Sequence, residues 1–163
     1  MQIRKILECL TPWQVELDEN YQDKYGYDLL YYIHEKTQNE TGYIKKFKGY
    51  IELEVAQDWQ EYNIPSYWSE ITFLARKCYK YNTDEGQFTN IPKDNADRTV
   101  YLKFNKNLDN CFVSSVNKII KLGSTSDRSD GTYKNTYIKM DKGDLTFGIY
   151  NSMKYINEFM GKK

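Results

Sequence analysis

Residues 46–55 read KFKGYIELEV, and this stretch decides the class of fold that the sequence predicts. Its apolar residues alternate with charged ones: Phe47, Ile51, Leu53 and Val55 against Lys46, Lys48, Glu52 and Glu54. A period of two is typical of a strand that buries one face and exposes the other. Gly49 interrupts the pattern and indicates a bend or bulge.

Two further segments predict strands. Residues 99–104 alternate in the same way, with these residues on one face: Val100, Leu102 and Phe104. Residues 133–150 predict a C-terminal antiparallel hairpin, because placing Met140 opposite Leu145 brings every large apolar residue of the segment to one face.

Helical spacing of apolar residues predicts the other elements. The segments are 11–36, which can form one helix or two, then 66–78, 107–123 and 151–161. Residues 82–97 and 124–133 are polar and lack periodicity, so we predict loops there. The order of elements predicts an α+β fold, a mainly antiparallel sheet packed by amphipathic helices. The length predicts one domain over residues 1–163.

The composition argues against a cofactor or metal site. The chain has one histidine, His34, and three cysteines without the paired spacing of a zinc site. It has no glycine-rich loop that would bind phosphate. We therefore predict no enzymatic activity, no catalytic residue, no metal and no cofactor.

Charge is distributed unevenly along the chain. Residues 1–70 hold 7 Lys and Arg against 13 Asp and Glu, a balance of −6, whereas residues 71–163 hold 16 against 10, a balance of +6. The two halves can attract each other within one fold, or the second can bind a partner. Cations and tyrosines of the second half form the predicted binding residues: Lys118, Lys121, Arg128, Tyr133, Lys134, Tyr137, Lys139 and Lys142.

The 16 tyrosines favour an adhesive surface, because a tyrosine ring gives much contact area at a small loss of side-chain entropy. We therefore predict a small cytoplasmic protein without a membrane span that binds another protein. An inhibitor or accessory factor of a phage or mobile element, such as an anti-CRISPR, fits this composition. Two alternatives remain open: a nucleic-acid-binding protein that uses the basic second half, and an enzyme whose site is built from Tyr, Asp and Lys.

Overall fold

The computed structural model describes residues 2–22, 28–39, 42–82, 84–85, 87–129 and 134–163. This part of the chain contains three α-helices: α1 (Gln2–Leu10), α2 (Val116–Leu122) and α3 (Ile149–Gly161). Six strands precede the second half of the fold: β1 (Trp13–Gln22), β2 (Asp28–Asn39), β3 (Gly42–Val55), β4 (Glu70–Leu74), β5 (Tyr79–Asn82) and β6 (Gln87–Pro92). Five strands follow them: β7 (Thr99–Phe104), β8 (Cys111–Ser115), β9 (Ser124–Ser129), β10 (Lys134–Asp141) and β11 (Thr146–Phe147).

The strands form one large sheet and two small ones. The large sheet has the order β1-β2-β3-β7-β8-β11, and the small sheets have the orders β4-β10-β9 and β5-β6. In the described ranges every strand pair is antiparallel except β3 and β7, which run parallel. The predicted α+β class with mainly antiparallel strands is therefore confirmed, while the prediction of one domain stays a prediction.

Both faces of the large sheet are covered. Leu53 of β3 and Leu102 of β7 belong to a first apolar cluster, which α1 and α3 complete. Tyr101 of β7 and Phe112 of β8 belong to a second cluster, which β4 and β10 complete. Strand β7 is consequently buried along its whole length, as expected for a strand between two cores.

The predicted irregularity at Gly49 is a β-bulge. Ile33 of β2 pairs with Gly49 and the next residue, His34, pairs with Phe47, so Lys48 is an extra residue in β3. A Cβ atom on Gly49 would lie 2.4 Å from the carbonyl oxygen of Arg98 and 2.9 Å from Sδ of Met160. Only glycine fits at this point of contact between β3 and its neighbours.

We expect Gly49→Ala to lower the free energy of unfolding by about 1–3 kcal/mol, because backbone and side chain must move to admit the methyl group. Gly161→Ala is the matched control, since a Cβ atom there meets no other atom within 4 Å. Urea unfolding followed by circular dichroism measures both changes. A Gly49→Ala variant as stable as the wild type would show that this contact is loose.

The prediction of one or two helices over residues 11–36 is wrong, because the described residues there form β1 and β2. Val15, Leu29, Tyr31 and Ile33 are buried, and the first two strands alternate as strands do. Tyrosine and isoleucine recur at spacings that fit a helix as well as a strand. Pairing with β3 decides between the two, since β-branched and aromatic residues suit a packed sheet.

Two more predicted helices are partly or wholly strands. Residues 66–78 form β4 and a 3₁₀ turn, Ala75–Lys77. The segment 107–123 begins as β8 and becomes helical only at Val116, where the side chain of Ser115 caps α2. Strand β8 is buried on both faces, and its continuous apolar run resembles one face of a helix. The predicted stop at Gly123 is confirmed, as is the C-terminal helix that ends at Gly161.

The predicted hairpin over residues 133–150 is not formed. Strand β10 pairs with β4 and β9, whereas β11 pairs with β8 in the large sheet. A 3₁₀ turn, Lys142–Asp144, separates them, and its N–H of Gly143 donates to Asp141 Oδ1 at 2.8 Å. Ile138 and Met140 are buried nonetheless, because they belong to the second apolar cluster together with Tyr101 and Phe112 of the large sheet.

The two predicted loops also contain strands. Residues 82–97 include β6, which pairs with β5, and residues 124–133 include β9, which pairs with β10. Tyr133 and residues 130–132 lie outside the described residues. No helix in the described ranges is long and apolar enough to cross a membrane. A cytoplasmic location stays a prediction.

Candidate functional site

A cluster of charged residues lies on the face of the large sheet that the second apolar cluster covers. Glu52 and Glu54 are two residues apart on β3, so their side chains leave the same face of the sheet. Asp28 of β2 pairs directly with Glu54 across the strands. On the other side of β3, Glu54 pairs with Lys103 of β7. Three carboxylates and a lysine therefore meet on three neighbouring strands.

Lys77 forms ion pairs with two of the three carboxylates. It follows β4 in the 3₁₀ turn and its side chain has no solvent exposure. Its Nζ lies 3.1 Å from Glu52 Oε2 and 3.7 Å from Asp28 Oδ1, and it donates a 3.0 Å hydrogen bond to the carbonyl of Leu53. A buried ammonium group needs such partners, since leaving water unpaired is strongly unfavourable.

Both oxygens of Glu52 are engaged by lysines. Lys77 Nζ pairs with Glu52 Oε2, and Lys93 Nζ lies 2.7 Å from Glu52 Oε1. The carboxylate of Glu52 is only 4% exposed, so it acts as a fixed anchor for the two ammonium groups.

The two oxygens of Glu54 have different partners: Oε1 accepts a hydrogen bond, and Oε2 is in an ion pair. The hydroxyl of Tyr101 donates to Glu54 Oε1. Burial raises the pKa of Tyr101 well above its ordinary value and Glu54 raises it further, so the hydroxyl stays protonated and can donate. Lys103 Nζ lies 3.5 Å from Glu54 Oε2, beyond a short hydrogen bond, and donates instead to the carbonyl of Thr72 at 2.8 Å.

The two oxygens of Asp28 also differ in their hydrogen bonds. Its Oδ2 accepts from Arg76, while Oδ1 is buried and has no hydrogen-bond partner among the described residues. Burial raises the pKa of Asp28, the cations Lys77 and Arg76 lower it, and Glu54 raises it, with a net upward shift. Two carboxylates thus lie on directly opposite residues. Asp28 has a buried oxygen without a hydrogen-bond partner among the described residues, and Glu54 has an oxygen 3.5 Å from the ammonium group of Lys103.

An open groove of about 580 Å³ borders this cluster. Glu52 and Arg76 belong to its wall, and Arg76 connects the groove to Asp28. The groove also presents three aromatic rings and further polar side chains: Tyr21, Phe47, Tyr50, Lys93, Asp94, Asn95, Asp97 and Arg98. The guanidinium of Arg98 lies 5.1 Å from the ring centroid of Phe47, a cation–π contact.

We expect Lys77→Met to lower the free energy of unfolding by about 3–5 kcal/mol, because Glu52 and Asp28 would lose their shared buried cation. Lys80→Met removes a lysine of β5 that pairs with Asp94 at 2.7 Å, where the two side chains are 47% and 89% exposed. This control should change stability by no more than about 1 kcal/mol. Urea unfolding of both variants checks the difference, and equal effects would contradict the central role of Lys77.

The structure does not gather the sequence-predicted binding residues at this cluster. Lys118 and Lys121 lie on α2, Lys142 lies in the last 3₁₀ turn, and Tyr137 and Lys139 share the face of β10 that is opposite to Ile138. The side chains of Arg128 and Lys134, and all of Tyr133, lie outside the described residues. Their role in binding stays a prediction.

Sequence analysis missed the charged cluster because its residues alternate with apolar ones, and alternation predicts a solvent-facing side. Glu52 and Glu54 on β3 and Lys103 on β7 were all assigned to water by this rule. The available signal was Lys103 between apolar and aromatic residues of β7, where a lysine needs a buried partner.

Comparisons with known proteins give little further guidance. No family model and no curated protein matches the chain. The solved structure of a nuclease from a fusselovirus is similar to it over 99% of this chain and 86% of that chain, with a TM-score of 0.46 and 16% identity. At this identity and TM-score the likeness assigns no activity to this chain, and only its own residues can support one.

The comparison nevertheless contradicts the prediction of a non-enzymatic, protein-binding inhibitor, because the similar structure is that of an enzyme. The inhibitor and anti-CRISPR interpretations are therefore withdrawn, and a protein partner has no support. The alternative with an enzymatic site of Tyr, Asp and Lys names residue types that do meet here, in Tyr101, Asp28 and Lys77.

Proposed function

We propose that this protein hydrolyses phosphodiester bonds in nucleic acid, with Asp28 and Glu54 as the centre of the site and the neighbouring groove as the binding surface for the strand. The observation that carries the proposal is the buried Oδ1 of Asp28, which has no hydrogen-bond partner among the described residues and belongs to a residue directly opposite Glu54 of β3. Like charges opposite each other destabilise a sheet, so stability alone does not favour this pair.

The two carboxylates fit a magnesium ion. Among the residues that the structure describes, no three His, Cys, Asp or Glu side chains are grouped to form a complete metal site. Magnesium does not need one, because proteins commonly hold it with one or two carboxylates together with water and the phosphates of the substrate. Asp28 Oδ1 and Glu54 Oε2 are the oxygens that would hold it. When bound, the ion would activate a water molecule and neutralise the charge of the phosphate.

Lysine side chains near Asp28 and Glu54 suit the stabilisation of negative charge on the phosphate. Water adds to phosphorus and loses a proton, the bond from phosphorus to one sugar oxygen breaks, and that oxygen takes up a proton and leaves as a hydroxyl group. Negative charge grows on the phosphate during this step. A fixed ammonium such as Lys103, 3.5 Å from Glu54, is placed to stabilise that charge.

The groove has the composition of a site for single-stranded nucleic acid. Aromatic rings stack on bases of any sequence, and cations pair with the phosphates between them. Phe47 and Tyr50 contact each other at 4.9 Å and supply the rings, while Arg98 supplies a cation that forms no ion pair within the described ranges.

We expect Glu54→Gln to reduce the cleavage rate by at least about a hundredfold, because the amide removes a negative metal ligand while still accepting from Tyr101. Labelled single-stranded DNA, duplex DNA and RNA, each with magnesium or manganese, are the substrates, and gel electrophoresis measures their cleavage.

The wild-type rate should also fall as the pH drops through the raised pKa of Asp28, since a protonated carboxyl does not bind a metal ion.

Glu158→Gln is the matched control, because Glu158 is exposed on α3, which packs on the face of the sheet opposite to Glu54. It should cleave at the wild-type rate, and EDTA should stop cleavage by both proteins. If the wild type binds nucleic acid but cleaves none of these substrates with either metal, the enzyme proposal is wrong and a binding function replaces it.

Arg98→Gln tests the groove separately from the chemistry. We expect weaker binding of single-stranded DNA and a plot of log affinity against log salt that is shallower by about 0.7, because one phosphate contact is lost. Lys154→Gln on the exposed side of α3 is the control and should leave the slope unchanged. Fluorescence anisotropy over a series of salt concentrations gives both slopes. An unchanged slope for Arg98→Gln would place the strand elsewhere, for example along the basic residues predicted in the second half.

A further inference from the structure

A second cavity, of about 290 Å³, is lined by Lys103 and shares no lining residue with the groove. Two tryptophans form its apolar walls. Trp59 is 1% exposed and stacks on Phe112 with 5.4 Å between ring centroids and an angle of 25°. Trp68 is half-buried and meets the exposed Tyr67 edge to face at 6.4 Å. The cavity is therefore flat-walled, aromatic and too small for a duplex or a helix.

The polar groups of the cavity are few and complementary. Lys103 is 8% exposed, its ammonium group donates to the carbonyl of Thr72, and it lies 3.5 Å from Glu54 Oε2. Since an ammonium group has three N–H groups, at least one of them is available to a ligand. Asp58 and Glu70 also line the cavity and are exposed, and their carboxylates only accept hydrogen bonds. The cavity thus offers one buried donor and two acceptors beside stacking rings.

We propose that this cavity binds a single unstacked nucleobase, with guanine and cytosine preferred. A base is planar and can stack on the half-buried indole ring of Trp68, while the buried Trp59 forms the floor of the cavity. Guanine and cytosine each carry a carbonyl group for Lys103 and an amino group for a carboxylate. The two acidic residues repel phosphate, so the base enters and its phosphates stay outside.

This inference extends the proposed function, because Lys103 contacts both the cavity and Glu54. A base held in the cavity would fix the position of the adjoining phosphodiester relative to the carboxylate pair. The cavity would then act as the specificity site of the enzyme, while the groove binds the rest of the strand without regard to sequence.

The three tryptophans of the chain provide the test. Indole N–H signals of ¹⁵N-labelled protein are followed by NMR during titration with the neutral nucleosides guanosine, cytidine, adenosine and uridine. We expect the Trp59 and Trp68 signals to shift, at lower concentrations of guanosine and cytidine than of the other two. Trp13 is the internal control, since it lies at the start of β1 and its indole donates to Asn157 of α3 at 3.1 Å.

Trp68→Ala should weaken nucleoside binding by about fivefold to a hundredfold, the loss typical of removing one stacking side chain. Trp68→Phe should retain most of it, which separates a stacking role from a general loss of fold. A thermal melt and an unchanged Trp13 signal confirm that each variant is folded.

Nucleoside binding needs neither metal nor cleavage, so it distinguishes the two proposals. Signals that shift in a protein without cleavage keep the base site and reject the enzyme. Cleavage without any shift of Trp59 and Trp68 rejects the base site. Shifts caused by tetramethylammonium but by no nucleoside would also overturn it, and would identify a cage for a cation.

Discussion

Two glutamates of β3 lie against an apolar cluster, and this constraint shapes the rest of the structure. The side chains of Glu52 and Glu54 leave the sheet on the face of the second apolar cluster and are only 4% and 17% exposed, so each needs a cation or a donor within reach. Lys77 and Lys93 hold Glu52, while Tyr101 and Lys103 flank Glu54. These partners come from the 3₁₀ turn after β4, the segment after β6, and β7, which fixes how the later elements pack on the sheet.

The same ion pairs explain the unequal charge of the two halves of the chain. The acidic members, Asp28, Glu52 and Glu54, come from the first half, and their cationic partners come from the second. The acidic and basic halves therefore attract each other inside one fold, which was one of the two interpretations that the sequence allowed. A partner is not needed to account for the charge pattern.

A site with open carboxylates carries a cost in stability that a purely structural network would avoid. Asp28 and Glu54 repel each other, and the raised pKa of Asp28 shows that burial and this repulsion outweigh the neighbouring cations. Natural proteins keep such unfavourable arrangements mainly where chemistry or binding uses them. The aromatic groove is linked to Asp28 through Arg76, and the tryptophan cavity is linked to Glu54 through Lys103.

The sequence by itself determined features that depend only on neighbouring residues, such as strand alternation and the positions of glycines. Alternation predicted β3 and β7, Gly49 marked the bulge, and Gly123 and Gly161 marked the ends of helices. Only tertiary structure decided whether residues 11–36 became helices or strands, because their spacing fits both and pairing with β3 selects one. It also decided that β10 pairs with β4 rather than β11, since the apolar face of β10 is buried by packing on the large sheet whichever strand lies beside it. The candidate site was beyond the sequence for the same reason: alternation places Glu52 and Glu54 on one face, but only packing determines whether that face meets water or a second core.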